Sequence, residues 1–231
     1  MKKLKYIFAV LLSLVLCTQA LTAFAVTEYS DGTYTVVKTN NNNVLITECN
    51  LTDEYIEIPE YVLGYPVAGV DEFAFFSCSY LTEAVLPPAA TTIGDYAFGD
   101  NENLQYVTIP RWCDNIADTA FWNCPEVTIR CWYGTSAYEY ALENNITCML
   151  MDDAVLGDAN NDGALSISDV TAIQRHVAEM QQLEGLRFLA GDVDQDGEVA
   201  ISDATALQMF FAEYKTEFPI GGAIIIERIE D

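Results

Sequence analysis

A repeat of about 23 residues constrains the fold of this chain more than any other feature of its sequence. The repeated positions are Ala74-Phe75, Ala97-Phe98 and Ala120-Phe121, with Val70, Ile93 and Ile116 four positions ahead of each alanine. Apolar residues that keep fixed phases over several periods indicate a solenoid, in which each period forms one coil. A single coil cannot bury its apolar side alone, so the repeat predicts a stack of coils.

Each coil is predicted to contain a short strand. Residues 104–110 alternate between apolar and polar side chains and end at Pro110, which is typical of a strand that stops at its proline. Val-Thr-Ile at 107–109 recurs at 127–129, closer than the repeat would place it, which predicts a shortened final coil. Residues 34–38 and 44–48 flank four asparagines and predict a hairpin that caps the first coil.

These residues resemble the BspA-like leucine-rich repeats of bacterial surface proteins over roughly residues 44–149. The resemblance includes a first repeat at 58–67 and an exit cap that begins at Tyr133 and continues as a short helix to Asn145. It departs at Asn101, where the neighbouring repeats have Cys78 and Cys124. The resemblance implies a leucine-rich-repeat solenoid of about four coils of ~23 residues. It implies no particular ligand, because the family shares a scaffold and not a target.

Two segments of twelve residues, 158–169 and 192–203, have the pattern of a calcium-binding loop. Ca²⁺ prefers roughly six to eight oxygen ligands, and Gly163 and Gly197 permit the sharp turn at the sixth position. The candidate ligands are Asp158, Asn160, Asp162, Ala164, Ser166 and Asp169 in the first loop and Asp192, Asp194, Asp196, Glu198 and Asp203 in the second; Ala164 and Glu198 would contribute backbone carbonyls. Ala200 has no side-chain oxygen, so we expect water at its position. Two complete loops disfavour the alternative of Asp/Asn/Gly-rich surface turns.

Each loop is followed by the apolar spacing of a helix: Val170, Ile173 and Val177 after the first, and Ala204, Leu207 and Phe211 after the second. Neither loop has a full helix before it, unlike the loops of a calcium sensor. This duplicated loop-helix, with Asp at the twelfth position, resembles the type I dockerin module over residues 155–214. The resemblance implies a small all-α domain with two EF-hand-like motifs and two calcium ions. It also implies binding to a cohesin module of a cellulosome scaffoldin.

The dockerin resemblance also implies which residues contact the cohesin. By position these are Ile167, Ser168, Gln174 and Arg175, with Ile201, Ser202, Gln208 and Met209 in the duplicate. Core packing is the alternative for the two isoleucines. Helical phase instead places Ile173 and Leu207 inward, which favours a surface position for Ile167 and Ile201.

The first 25 residues have the features of a secretory signal: lysines at the start, an apolar run, and Ala23-Phe24-Ala25 as a cleavage site. The chain therefore divides into a signal peptide (1–25), a leucine-rich-repeat domain with its hairpin and cap (26–151), and a dockerin domain (152–231). No later segment is long enough to span a membrane. No flexible linker separates the last two domains, so we expect them to lie close together.

The chain is strongly acidic, with 35 Asp+Glu against 10 Lys+Arg and a net charge of −25. Such a surface repels phosphate and argues against nucleic acid as a partner. Residues 26–151 contain 18 acidic and three basic residues, which favours basic protein surfaces or neutral glycans over acidic pectins.

Other chemically suggestive residues are interpreted as structural. His176, the only histidine, has no Cys or Ser partner nearby in sequence, so we expect a solvated or cohesin-edge role. Trp112, Trp122 and Trp132 differ in repeat phase, which favours packing or capping over a sugar-binding ladder. Cys78 and Cys124 are too far apart for a disulfide if each coil advances by one strand spacing. Cys131 and Cys148 flank the exit cap and are candidates for pairing.

The resulting prediction is a secreted, extracellular or cell-surface protein that is not an enzyme. Its dockerin would bind a scaffoldin cohesin while the repeats bind a protein or glycan partner in plant polysaccharide degradation. The alternatives are an accessory carbohydrate-active enzyme with an unrecognised site and a cell-surface adhesin attached through the dockerin.

Overall fold

The computed structural model describes residues 27–227, which form a two-sheet solenoid followed by a helical unit. The predicted secretory signal lies outside the described residues. The strands are β1 (Glu28–Ser30), β2 (Tyr34–Lys38), β3 (Val44–Cys49), β4 (Tyr55–Glu57), β5 (Tyr61–Val62), β6 (Tyr65–Val70), β7 (Glu83–Val85), β8 (Thr92–Ile93), β9 (Tyr106–Thr108), β10 (Asn115–Ile116), β11 (Thr128–Cys131), β12 (Thr147–Leu150) and β13 (Ile225–Ile226). The helices are α1 (Ser136–Glu143), α2 (Ile167–Val177), α3 (Leu186–Gly191) and α4 (Ile201–Phe211).

The solenoid has two sheets, and successive coils add strands to both of them. One sheet has the order β1-β2-β3-β6-β8-β10, with β5 paired to β6, and the other has the order β13-β12-β11-β9-β7-β4. Strands β4, β7, β9, β11 and β12 pair in parallel, which is the arrangement that repeated coils produce. The antiparallel pair β2–β3 confirms the predicted hairpin.

The solenoid makes about five turns, so the prediction of about four was too low. The additional strand is β12, which follows the exit helix α1 and continues the parallel sheet beside β11. The chain therefore does not end its solenoid at the exit cap. One further strand, β13, comes from near the end of the chain and pairs with β12 in antiparallel orientation.

The final coil is shortened as predicted, but only slightly: Tyr106 pairs with Glu83, 23 residues before it, and with Thr128, 22 residues after it. The two Val-Thr-Ile segments would align Thr128 with Thr108, but Thr128 pairs with Tyr106 and Thr108 pairs with Arg130. The final coil is therefore shortened much less than the tripeptides indicate. The buried residues before each strand explain this register, because Leu81, Leu104 and Val127 keep the regular spacing of the repeat. Packing of these side chains in the core sets the register, and the matching tripeptide is coincidental.

A column of aromatic rings forms the centre of the solenoid. Phe75, Phe98 and Phe121 stack with centroid distances of 5.1 and 5.4 Å, and Tyr140 of α1 covers the last ring at 6.0 Å. Phe75 and Phe98 are fully buried. The repeated phenylalanine thus provides the contact between coils that the sequence pattern predicted.

The departure at Asn101 has a structural explanation. Its side-chain amide donates hydrogen bonds to the carbonyls of Phe98 (2.7 Å) and Phe75 (2.9 Å), and Phe75 belongs to the preceding coil. At the equivalent position, the Cys124 thiol donates to the carbonyl of Phe98 (3.0 Å), which again belongs to the preceding coil. Asparagine and cysteine are therefore interchangeable here because both provide a donor to the coil before them.

The helical unit packs α2 against α4 around its own core, which includes Val170, Ile173, Ala204 and Leu207. Val177 was predicted to face this core, but it is 42% exposed because it is the last residue of α2.

The helical unit also shares the core of the solenoid. Leu156, Ala190 and Ile224 are buried in the same cluster as the repeat residues. The N–H of Leu150 donates to the carbonyl of Ile224, and the N–H of Leu156 donates to the carbonyl of Gly222. The prediction that the two domains lie close together is confirmed. The boundary at residues 151 and 152 stays a prediction.

Candidate metal centres and interaction surfaces

The first carboxylate of each acidic loop organises the backbone of that loop. Asp158 accepts hydrogen bonds from the N–H groups of Asp162 (3.1 Å) and Gly163 (2.9 Å). Asp192 accepts the same two from Asp196 (3.1 Å) and Gly197 (3.0 Å). The two loops are therefore folded by the same interactions, as the sequence duplication predicted.

The aspartate at the twelfth position closes each loop. Asp169 accepts from the N–H groups of Asn160 (3.1 Å) and Ser166 (2.8 Å). Asp203 accepts from Val193 (2.6 Å), Asp194 (3.2 Å) and Ala200 (2.8 Å). Both aspartates are fully buried and belong to the first turns of α2 and α4, so they join each loop to the helix that follows.

The two helices begin differently. Ser166, the N-cap of α2, accepts a hydrogen bond from the N–H of Ser168 through its hydroxyl. Ala200, the N-cap of α4, has no side-chain acceptor, so α4 relies on Asp203 alone. Ser166 and Ala200 are also the ninth loop positions, where only the first loop offers a side-chain oxygen for a metal.

The second loop brings three negative charges together. Carboxylate oxygens of Asp192, Asp194 and Asp196 lie within 4.8 Å of one another. Burial, with the neighbouring carboxylates adding to it, raises the pKa of Asp192 to about 6. Burial is also the main cause that raises the pKa of Asp169 and Asp203. Such a cluster is electrostatically unfavourable by itself, and a bound cation would compensate its charge.

The first loop has an unsatisfied oxygen that fits a metal. Oδ1 of Asn160, at the third loop position, is buried and has no hydrogen-bond partner among the described residues, while its Nδ2 donates to Ser168. A buried unpaired oxygen is costly unless an ion or water satisfies it. The donor set of both loops is therefore oxygen only, which fits a hard cation such as Ca²⁺. The individual ligand assignments stay predictions.

All eight predicted cohesin-contact residues are exposed. Ile167 is 64% exposed and Ile201 is 60% exposed, whereas Ile173 and Leu207 are fully buried. The phase argument for these four side chains is confirmed, and the contact with a cohesin stays a prediction. Sequence reasoning missed Met180 and Tyr214, which are more exposed than either isoleucine and lie beyond the ends of α2 and α4.

His176 is half-buried and forms structural contacts, and its predicted solvated or cohesin-edge role stays a prediction. Its Nδ1 accepts a hydrogen bond from the N–H of Leu183 at 3.0 Å, and its ring meets Phe188 edge-on at 6.0 Å. Because Leu183 is buried in the helical core, His176 fixes the segment that leads from α2 to α3.

The interpretation of the tryptophans as packing or capping residues is wrong for Trp112, whereas Trp122 packs edge-on against Tyr96 with 5.9 Å between the ring centroids. Trp112 is 71% exposed and Trp122 is 46% exposed. Trp112 and Trp132 line one groove, although they are on different coils. Thr108 pairs with Arg130, so Pro110 and Trp132 are at equivalent places just beyond their strands. The incorrect phase of the last coil concealed this proximity.

The six described cysteines are buried thiols. Burial raises the pKa of Cys124 to about 11 and that of Cys113 to about 12, so both remain protonated at neutral pH. Sγ atoms of Cys131 and Cys148 are 2.9 Å apart on the neighbouring strands β11 and β12. Their shared hydrogen bond and their burial raise the pKa of Cys131. Formation of a disulfide between them stays a prediction.

Comparison with protein-family models assigns both halves of the chain. A BspA type leucine-rich repeat region matches residues 40–128 in six copies, and a dockerin type I domain matches residues 156–212. The chain thus joins BspA-type leucine-rich repeats to a type I dockerin. Type I dockerins bind calcium and cohesins, and neither of the two domain types is catalytic. Both are typical of extracellular proteins. Within residues 27–227, no helix is long and apolar enough to cross a membrane.

Solved structures similar to the chain match less than half of it. A leucine-rich cell surface protein from Faecalibacterium prausnitzii is 31% identical over 45% of this chain and 30% of its own, with a TM-score of 0.42. Leucine-rich repeat proteins from Bacteroides capillosus and Bacteroides ovatus are 22% and 19% identical over 44% and 46% of this chain and 97% and 36% of theirs, with TM-scores of 0.32 and 0.36. The chain thus spans under a third of the F. prausnitzii protein. No curated protein sequence matches.

Proposed function

We propose that this chain is a secreted, non-catalytic component of a cellulosome. Its dockerin, loaded with two calcium ions, would bind a cohesin of a scaffoldin, while the repeats bind a protein or glycan partner in plant polysaccharide degradation. The observation that supports this most directly is the duplicated acidic loop-helix, in which buried aspartates organise both loops and an exposed isoleucine begins each helix.

The calcium dependence follows from the position of the loops. Asp169 and Asp203 are the third residues of α2 and α4, and Ile167 and Ile201 are the first residues of these helices. A cation in either loop would therefore stabilise the helix terminus that presents the isoleucine and serine of the cohesin contact. Metal binding that orders a site becomes part of its folding free energy.

Titration calorimetry against a panel of type I cohesin modules tests this proposal. We expect binding with calcium and none with a chelator. Because the two loop-helices are equivalent in sequence, we expect two binding orientations. Alanine at Ile167 and Ser168 alone, or at Ile201 and Ser202 alone, should then change the affinity little. The four substitutions combined should abolish binding.

Alanine at Gln181 and Gln182 is the matched control, because both residues are exposed and lie outside the predicted contact. If either pair of substitutions alone abolishes cohesin binding, the dockerin binds in one orientation only. Arg175 and Met209 break the symmetry between the halves, so one orientation should dominate. Retention of cohesin binding after all four substitutions would contradict the assignment of the contact residues.

A further inference from the structure

A groove crosses four coils of the solenoid at the ends of strands β4, β7, β9 and β11. It encloses about 580 Å³, and its base contains Pro59, Pro87 and Pro110. Strand pairing places Glu57 beside Val85 and Val85 beside Thr108, so the groove runs along the solenoid axis. Four strands at a spacing of about 4.8 Å give it a length of roughly 14 Å, enough for about four residues of an extended peptide.

One end of the groove is aromatic. Trp112 is 71% exposed, the most exposed tryptophan of the described chain, and Trp132 lies against the same groove. Arg111 stacks over the Trp132 ring at 4.9 Å and pairs with Asp152 at 3.6 Å. The cation of the groove is thus already neutralised by this chain, while the face of Trp112 remains available.

The other end of the groove is acidic. Glu57 and Glu60 are exposed and form no ion pair among the described residues. The remaining cations of the repeats are engaged elsewhere: Lys38 lies 3.7 Å from the centre of the Tyr65 ring, and Arg130 pairs with Glu83. The repeats have 18 acidic and three basic residues, so the field at the groove attracts cations.

The groove has few backbone hydrogen-bond donors, which disfavours a ligand rich in hydroxyl groups. Four of its lining residues, Pro59, Pro87, Pro88 and Pro110, have no backbone N–H. A glycan would lose water from its hydroxyls and find few backbone N–H donors in return, which costs free energy. A lysine or arginine side chain instead packs its apolar stem on such a surface and keeps its charge at a carboxylate.

From this arrangement we infer that the groove binds an extended, proline-containing basic peptide segment of a partner protein. Its lysine or arginine would meet Glu57 and Glu60, and an apolar or proline residue would pack on Trp112. Aromatic-lined grooves bind extended proline-rich segments in this way. The inference rests on the proposed function of the repeats as a partner-binding surface and specifies which face and which partner chemistry they use.

Fluorescence anisotropy with labelled hexapeptides tests the inference on the calcium-loaded chain that begins at Val26. The probes are a Lys-Pro repeat, a Glu-Pro repeat and a Gln-Pro repeat, with a neutral cello-oligosaccharide measured by calorimetry. We expect the Lys-Pro probe to bind most tightly, and we expect its affinity to fall as salt is added. Trp112→Ala should weaken it at least about tenfold, and Trp122→Ala, which removes an exposed tryptophan outside the groove, should not.

The charge requirement has its own matched pair of variants. The double variant Glu57→Gln with Glu60→Gln should weaken the binding of the Lys-Pro probe and reduce the salt dependence of that binding. Glu102→Gln with Glu126→Gln makes the same change in net charge on a surface outside the groove and should leave the affinity nearly unchanged. All four residues are exposed, so these variants should fold.

Three results would overturn the inference: absence of Lys-Pro binding, equal binding of the Glu-Pro probe, or equal effects of the groove and control variants. Binding of the oligosaccharide in a manner sensitive to Trp112→Ala, without binding of the Lys-Pro probe, would also overturn it and would assign the groove to a glycan. Cohesin binding measured on the same preparations separates these results from failure of the proposed function, because Trp112→Ala should leave it intact.

Discussion

Exchange of the third residue between the two loops should change stability in opposite directions with and without calcium. Asp194 and Asn160 occupy equivalent positions, and Asp194→Asn gives the second loop the side-chain types of the first at positions 1, 3 and 5. The substitution conserves shape and keeps the Oδ1 that accepts from the N–H of Asp196. It removes one charge from a cluster whose oxygens lie within 4.8 Å.

The magnitude follows from that spacing. Two unit charges at 4.8 Å repel by about 3.5 kcal/mol at an effective dielectric constant of about 20 and by about 0.9 kcal/mol in bulk water. Asp194 is half-buried and Asp196 is exposed, so about 1 kcal/mol for each pair is appropriate. Asp194 forms two such pairs, with Asp192 and Asp196. We therefore expect Asp194→Asn to stabilise the metal-free dockerin by roughly 2 kcal/mol, the sum of both repulsions.

With calcium the sign should reverse, because a neutral oxygen attracts a divalent cation less than a carboxylate does. A calcium affinity weakened about a hundredfold would remove about 2.7 kcal/mol of stability in excess calcium, which exceeds the roughly 2 kcal/mol gained without the metal. Circular dichroism melts with chelator and with calcium measure both effects, and calorimetry measures the affinity. Asn160→Asp should show the opposite changes at the first loop. If Asp194→Asn destabilises the chelated protein as much as the calcium-loaded one, the carboxylate is structural and the metal assignment fails.

Three further predictions concern the solenoid and its contact with the dockerin. Phe98→Ala should lower the free energy of unfolding by about 3–5 kcal/mol, measured by chemical denaturation, because it interrupts the buried ring column. Phe76→Ala, at a side chain that is 37% exposed, should lower it by about 1 kcal/mol or less. Refolding of the reduced, denatured protein in a glutathione redox buffer should lower the thiol titre by two through Cys131 and Cys148, which are buried once folded, and a full titre of six after refolding would exclude that disulfide. Ile224→Ala should lower the melting temperature of the repeats by removing a buried side chain supplied from outside them, and an effect confined to the dockerin helices would contradict the shared core.

The parts of the structure that could be predicted are those in which one local pattern determines one contact. The phase of the phenylalanines predicts the ring column, because coils of equal length place equivalent side chains above one another. The loop pattern predicts which aspartates face inward, since the turn at Gly163 or Gly197 leaves Asp158 and Asp192 to accept the backbone N–H groups. Helical phase predicts the exposure of Ile167 and Ile201, because it places Ile173 and Leu207 toward the core instead.

The parts that could not be predicted depend on contacts between distant segments. The register of β11 is set by the burial of Val127 beneath the strand, which a matching Val-Thr-Ile conceals. Without that register, Trp132 cannot be placed beside Pro110, so the groove could not be predicted from the sequence. The run of apolar residues at 220–226 is too short to span a membrane, and nothing local shows that Ile225 and Ile226 pair with β12.

The dockerin halves have similar sequences but different surroundings, and the difference lies in the second loop. Gln195, between two of its candidate ligands, donates a hydrogen bond to the carbonyl of Ile225 at 3.0 Å, and Ile225 pairs with Met149 of the solenoid. Asn161, its counterpart in the first loop, forms no such side-chain hydrogen bond among the described residues. The order of the second loop is therefore coupled to the end of the repeats, while the first loop is also held from α3, where Nε of Arg187 donates to the carbonyl of Ala159 at 3.3 Å. A calcium ion in the second loop would stabilise the contact between the two domains as well as α4, so the two ions would contribute differently to the rigidity of the chain.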